Sequence, residues 1–127
     1  MLILSGSSGF FISLYQHQHQ HKNAVQLIET FHYPAAFVKQ LKGDSRAGEK
    51  IFKQFCVSCH GNPPIIDIKA PRIGDTKAWR PRQQMGMSML MKITIMGVGA
   101  MPARGGCFEC SDEQLRETIR YILKSSN

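Results

Sequence analysis

Three scarcities shape the reading of this chain. No charged side chain precedes Lys22, no histidine follows His60, and acidic residues number only 9 against 16 Lys and Arg, for a net charge of +7. The first leaves Met1 to Tyr15 as an apolar run with small residues, through Leu2, Ile3, Leu4, Phe10, Phe11 and Ile12. That run falls short of the roughly 20 residues a spanning helix needs. It reads as the apolar part of a secretory signal whose basic start is missing, or as a short membrane anchor. The second scarcity denies the later chain an imidazole for acid–base work. The third favours an anionic partner. No Arg-rich helix with base-reading polar residues and no aromatic RNA-binding strand motif is present, so nucleic acid is not the expected partner.

The four cysteines fall in two C-x-x-C pairs. The second, Cys107-Phe108-Glu109-Cys110, is followed by Ser111 and lacks a histidine. The first, Cys56-Val57-Ser58-Cys59-His60, has one. C-x-x-C-H is the attachment pattern of a c-type haem. Two thiols one turn apart can each add to a vinyl group, and the imidazole directly after them is held where it can ligate the iron. Two C-x-x-C pairs also suit a four-thiolate zinc ribbon, but the stretch from His60 to Gly106 is far longer than that pattern wants. A short chain gains from a large apolar insert, because small domains bury a lower fraction of their surface.

Punctuation along the chain suggests three parts: residues 1–22, an apolar segment and a His/Gln-rich linker; residues 23–43, a helical extension; and residues 44–127, the main domain. His17, His19 and His21 form a polar repeat of the kind that can bind metal, read here as solvated linker. Ala24, Leu27, Ile28 and Phe31 have helical spacing behind Asn23. Tyr33-Pro34 interrupts that pattern, and a second short helix is expected from Pro34 to Leu41, with Gly43 past its end. Asp44 or Ser45 is expected to cap a helix through Phe55, with Ala47, Ile51 and Phe55 on one stripe and Gly48 and Phe52 on another beside it. Ile65, Ile66 and Ile68 are candidates for an apolar pocket. Asp75 should cap a short helix holding Trp79 that stops near Pro81. Met87 to Met96 reads as a dense apolar helix whose methionines are mostly gap-filling core or rim residues. Met101 differs from these, sitting in a Gly-rich loop beside Pro102, where its thioether is free to turn toward an iron as a sixth ligand. Ser111 to Gln114 fits a capping box ahead of a last helix with Leu115, Ile119 and Ile122 on one face.

Residues from about Asp44 to Ser126 resemble the small class I cytochromes c, within them the cytochrome c5 type. The residues that carry the likeness are Gly48-x-x-x-Phe52 before Cys56 to His60, Ala70-Pro71-x-Ile73-Gly74-Asp75 with Trp79, and Ala100-Met101-Pro102 followed by Cys107-x-x-Cys110-Ser111-Asp112. The resemblance implies an all-α class I cytochrome c fold wrapped around one covalent haem c, with residues ahead of it as an N-terminal extension. It implies thioethers at Cys56 and Cys59, axial ligands at His60 and Met101, and a Pro71 carbonyl that accepts from the proximal imidazole. It also implies a Cys107–Cys110 disulfide, and a crossing that sets Gly48 and Phe52 against Leu115 and Ile119.

The function this implies is one-electron transfer rather than enzymatic catalysis, shuttling between respiratory-chain components such as a terminal oxidase. The rival is a haem enzyme or gas or redox sensor with a labile Met ligand, against which stands the lack of any histidine after His60. Seven basic residues and one acidic residue, Asp75, lie from Lys69 to Arg104. Such a rim suits redox partners with acidic docking surfaces. Covalent attachment outside the cytoplasm implies a periplasmic protein, soluble or tethered to the inner membrane by its first residues.

Overall fold

The structure is a computed structural model that describes residues 33–127. The chain divides into two compact units, 1–37 and 38–127. The apolar run, the histidine repeat and the expected helix over 23–31 lie outside the described residues. Among the described residues all regular elements are helical, and the extended pairing is a single isolated bridge between Val98 and Met101.

Helix α1 spans Pro34–Gln40. Proline suits a first helical position because its missing N–H has no intrahelical partner there, and Gly43 turns the chain after the end at φ +80°. In the second unit, Val38 and Leu41 are buried, and the Gln114 side-chain amide donates to the Val38 carbonyl at 2.8 Å.

The next helix begins otherwise than expected. Neither Asp44 nor Ser45 caps it; Arg46 occupies the flanking position without a side-chain cap. Asp44 instead accepts from the Arg46 N–H at 2.7 Å and the Lys50 ammonium at 2.5 Å. Helix α2 runs Ala47–Ile51, passes into a π-helical turn at Phe52–Cys56, and continues as α3, Val57–His60. Phe52 is buried at 3% exposure, as its stripe with Gly48 leads one to expect, and the wider turn places Cys56 and Val57, rather than a buried Phe55, against it.

Helix α4, Thr76–Gln84, is capped by Asp75, which accepts from the Ala78 N–H at 3.0 Å. It does not stop at Pro81. Proline removes the donor that would reach the carbonyl four residues back, at Lys77; the Arg82 guanidinium donates to a different carbonyl, that of Ala78, at 2.7 Å. Helix α5 covers Gly86–Met96, with Leu90 and Met91 buried. Met89 and Met96 are exposed rather than core residues. A 3₁₀ turn at Ala103–Gly106 leads to α6, Asp112–Lys124, which starts with the Ser111–Gln114 capping box.

Helix α6 crosses α2 closely. A Cβ at Gly48 would stand 2.4 Å from the Glu117 carbonyl oxygen and 3.0 Å from the Thr118 nitrogen. Phe52 meets Tyr121 with ring centroids 5.5 Å apart and joins Trp79 and Ile122 in a buried cluster. The crossing is the expected one of these two helices, with Leu115 and Ile119 buried on α6 beside these contacts. Two buried hydroxyls lie on α6 and just past its end. Thr118 donates to the Gln114 carbonyl; Ser126 donates to Ile122 and accepts from the Gly74 N–H at 2.9 Å, fixing the irregular segment around Gly74 to the end of the last helix.

Candidate functional site

The motif sits on α3 and the turn before it, at the end of the helix that crosses α6. Cys56 and Cys59 are both free thiols and both half-buried. Burial pushes the Cys56 thiol up to about 12, with a smaller push from Cys59. Cys56 is therefore neutral near pH 7. A thioether is neutral too, so attachment there creates no buried charge.

The chain after His60 folds back over the motif. The Ser58 carbonyl accepts from both Ile65 and Ile66 N–H, at 2.9 and 2.8 Å, and the His60 carbonyl accepts from Ile73 N–H at 2.7 Å. Ile65 and Ile66 are 81% and 52% exposed, so the protein itself does not enclose them in a pocket. This return brings the Pro71 carbonyl to 2.8 Å from His60 Nδ1. A carbonyl only accepts, so Nδ1 carries the proton and Nε2 keeps its lone pair. Nε2 has no hydrogen-bond partner among the described residues.

Trp79 is a part of the site that sequence reading marked only as a family position. Its indole N–H donates to the Arg72 carbonyl at 2.8 Å, next to Pro71, and its ring centroid lies 6.1 Å from that of His60. The lone tryptophan shortly after a helix-capping aspartate was the available signal; its partner was not readable. Such outer contacts orient a ligating imidazole and raise its basicity.

Met101 is half-buried in the loop after α5. It exchanges two backbone hydrogen bonds with Val98, at 2.9 and 3.1 Å. The loop needs glycine at 97, where φ is +77° and a Cβ would stand 2.6 Å from the Met101 carbonyl oxygen. The Met101 methyl would lie 3.6 Å from a Cβ on Gly105, and the turn at Ala103–Gly106 rests against Phe52–Cys56. Cys107 and Cys110 are both buried and joined as a disulfide, so their sulfurs are not available as thiols.

The donors present fit a c-type haem. There are two free thiols at the attachment spacing, an imidazole with its tautomer set and Nε2 uncommitted, and a thioether on a loop that adjoins the same helix. No group of three or more His, Cys, Asp and Glu suited to a metal ion occurs among the described residues, which sets the zinc alternative aside there.

The basic rim is thinner than the sequence suggests. Lys69 pairs with Asp67 at 2.7 Å, Arg72 lies 3.8 Å from the same carboxylate, and Arg104 pairs with Asp112 at 2.8 Å. Lys77, Arg80 and Lys92, on α4 and α5, are exposed and form no ion pair among the described residues.

The family model described as cytochrome C oxidase, cbb3-type, subunit III, matches residues 43–122. Cytochrome c5 of Ectopseudomonas mendocina is 40% identical over 82 residues, 63% of this chain and 91% of that protein. Cytochrome c5 of Azotobacter vinelandii is 34% identical over 79 residues, 61% of this chain and 92% of that one. A chain in the crystal structure of an electron transfer complex of nitrite reductase with cytochrome c aligns with a TM-score of 0.58 at 34% identity. It covers 64% of this chain and 95% of its own length.

Proposed function

The chain belongs to the class I c-type cytochromes, a family that holds haem c covalently, and on that premise we propose that it is a one-electron carrier with His/Met axial ligation. When bound, the haem supplies reversible one-electron Fe(III)/Fe(II) chemistry. Cys56 and Cys59 would hold it by thioethers, and His60 Nε2 and the Met101 sulfur would be its iron ligands. Residues 44–127 are the carrier domain.

The observation that carries this reading is the 2.8 Å bond from His60 Nδ1 to the Pro71 carbonyl. It commits one ring nitrogen as a donor and leaves the other as a ligand of fixed orientation. Trp79 steadies the same carbonyl segment from the neighbouring peptide. With His60 and Met101 both as ligands, small molecules would be kept away from the iron and reorganisation during transfer would be limited. A thioether opposite imidazole also raises the reduction potential.

Met101→Ala tests the assignment. The oxidised wild-type protein is expected to show a far-red charge-transfer band from sulfur to iron. The variant is expected to lose that band and to have a lower reduction potential by voltammetry. Survival of the band in Met101→Ala would sink the axial role of this residue.

The partners proposed are redox proteins with acidic docking surfaces. The solved relative comes from a complex with nitrite reductase, an example of a redox partner. Lys77, Arg80 and Lys92 supply the unpaired positive charge here, with Met89 and Met96 exposed on the same helix as Lys92. Screening shortens the reach of such charge to about 10 Å at 0.1 M salt. Electron exchange with an acidic acceptor is therefore expected to slow as salt rises from 10 to 200 mM, followed by stopped-flow absorbance. A rate indifferent to salt would remove the steering role.

The proposed location is a periplasm, where covalent haem attachment takes place. Among the described residues no helix is long and apolar enough to cross a membrane. Tethering would depend on residues 1–22.

A further inference from the structure

Arg104 is unlike the other basic residues of the rim. Its backbone is left-handed, φ 58° and ψ 19°, at a position followed by two glycines. A side chain in that region is strained where glycine is not, and such strain persists only if surrounding contacts over-determine it. Those contacts are present. One terminal nitrogen, Nη2, donates to the Cys110 carbonyl at 2.7 Å and to the Asp112 carboxylate at 2.8 Å. The side chain is only 22% exposed, and Nε is buried without a partner among the described residues. An arginine merely coating the surface would not accept an unpaired buried donor.

The position of this tie matters. Val98 and Met101 close the loop upstream through their paired backbone bonds. Downstream, the Gly105 N–H bonds the Pro102 carbonyl and the Cys107 N–H bonds the Arg104 carbonyl. All of these are local to the loop. The Arg104 guanidinium instead reaches forward to the disulfide segment and the first residue of α6. Helix α6 in turn crosses α2, which leads into Cys56–His60. The turn carrying Arg104 also rests against Phe52–Cys56.

Resting on the axial assignment above, we propose that Arg104 is a positioning residue that holds the Met101 loop closed. It does so by fastening that loop to the N-terminus of α6. Without the guanidinium the loop keeps its internal bonds but loses its side-chain anchor to the helix. The fraction of molecules with the thioether away from the iron then rises.

Imidazole added to the oxidised holoprotein reads that fraction. It binds only where the thioether has moved off, so its apparent dissociation constant is the intrinsic one divided by the open fraction. Met101→Ala gives the intrinsic value. Arg104→Gly removes the guanidinium while making the left-handed backbone easier, so a role confined to backbone shape would be preserved. The expected result is imidazole binding at least tenfold tighter in Arg104→Gly than in wild type, with Arg104→Lys in between and Met101→Ala tightest. Asp112→Asn, which keeps an acceptor oxygen but removes the charge that strengthens its bond to the guanidinium, is expected to tighten binding about threefold, and it carries the test if Arg104→Gly yields no holoprotein. Wild-type affinity in Arg104→Gly, or in Asp112→Asn where that variant stands in, would overturn the proposal, even with a lowered melting temperature. A wild-type protein that binds imidazole as tightly as Met101→Ala would overturn the axial assignment, and this inference with it. Arg104→Gly matching a wild type that is clearly closed would overturn this inference alone.

Discussion

The double variant Cys56→Ala/Cys59→Ala, made alongside haem-attachment machinery, is expected to yield protein that is colourless after acid–acetone extraction, where wild-type protein stays red. The whole covalent link depends on two sulfurs. Those of Cys107 and Cys110 are committed to each other, so no second pair of thiols can substitute. Each single variant keeps one thiol and is expected to retain one thioether. The loss should also reach stability. The described residues leave Ile65, Ile66, Met85, Met89, Met96 and Val98 exposed. Burying apolar surface is worth about 25 cal/mol per Å², so a domain this small depends on an apolar insert for much of its core. Far-UV circular dichroism of the double variant should therefore show a less cooperative melt. Protein of the double variant that stays red after extraction would contradict the covalent attachment outright.

Gly48→Ala is expected to destabilise the domain by about 2 kcal/mol, against the ordinary rule for helices. Replacing a helical glycine by alanine normally gains about 1 kcal/mol. Here the new methyl would stand 2.4 Å from the Glu117 carbonyl oxygen and 2.6 Å from its carbonyl carbon. Both atoms are backbone of α6, so no side chain can swing aside and the two helices must part. Overpacking costs about 1–3 kcal/mol and occasionally more; with only backbone to give way the upper end, about 3 kcal/mol, applies, and the helical gain of about 1 kcal/mol leaves a net loss of about 2 kcal/mol. For a domain of this size each kcal/mol moves the melting temperature by about 4–8 °C, so a fall near 10 °C is expected in a thermal melt of the holoprotein. Valine at 48 should cost more. A melting temperature at or above that of wild type would mean that α2 and α6 do not cross this closely.

Much of the local structure was legible because its causes are local. Pro34 and Gly43 bracket α1, Asp75 caps α4, and the Ser111–Gln114 box starts α6, each through contacts within one turn of chain. Where the sequence reading missed, a longer-range contact or an altered helical pitch intervened. The helix with Trp79 passes Pro81, where the missing N–H costs one bond to the carbonyl four residues back and the helix runs on to Gln84. Phe55 falls short of full burial and Cys56 packs beside Phe52 because the turn at Phe52–Cys56 is π-helical, and a 3.6-residue period does not anticipate an inserted residue. Arg104 was counted as one more charge in a rim, since nothing near it in the chain marks a left-handed arginine bonded to Cys110 and Asp112.

The sequence by itself determined the chemistry at Cys56 to His60: two thiols at one-turn spacing and an imidazole beside them are properties of five consecutive residues. It determined the helical class as well, because caps and apolar periodicity act over a few residues. Only the tertiary structure decided which nitrogen of His60 is free, since that depends on a carbonyl at Pro71 returned by the intervening loop. Only it decided that Gly48 faces Glu117 and Thr118, because the register of two crossing helices is set by packing far apart in the chain. It also decided which basic residues are unpaired, because a charge is neutralised by whatever the fold brings near it, and the sequence does not list neighbours in space.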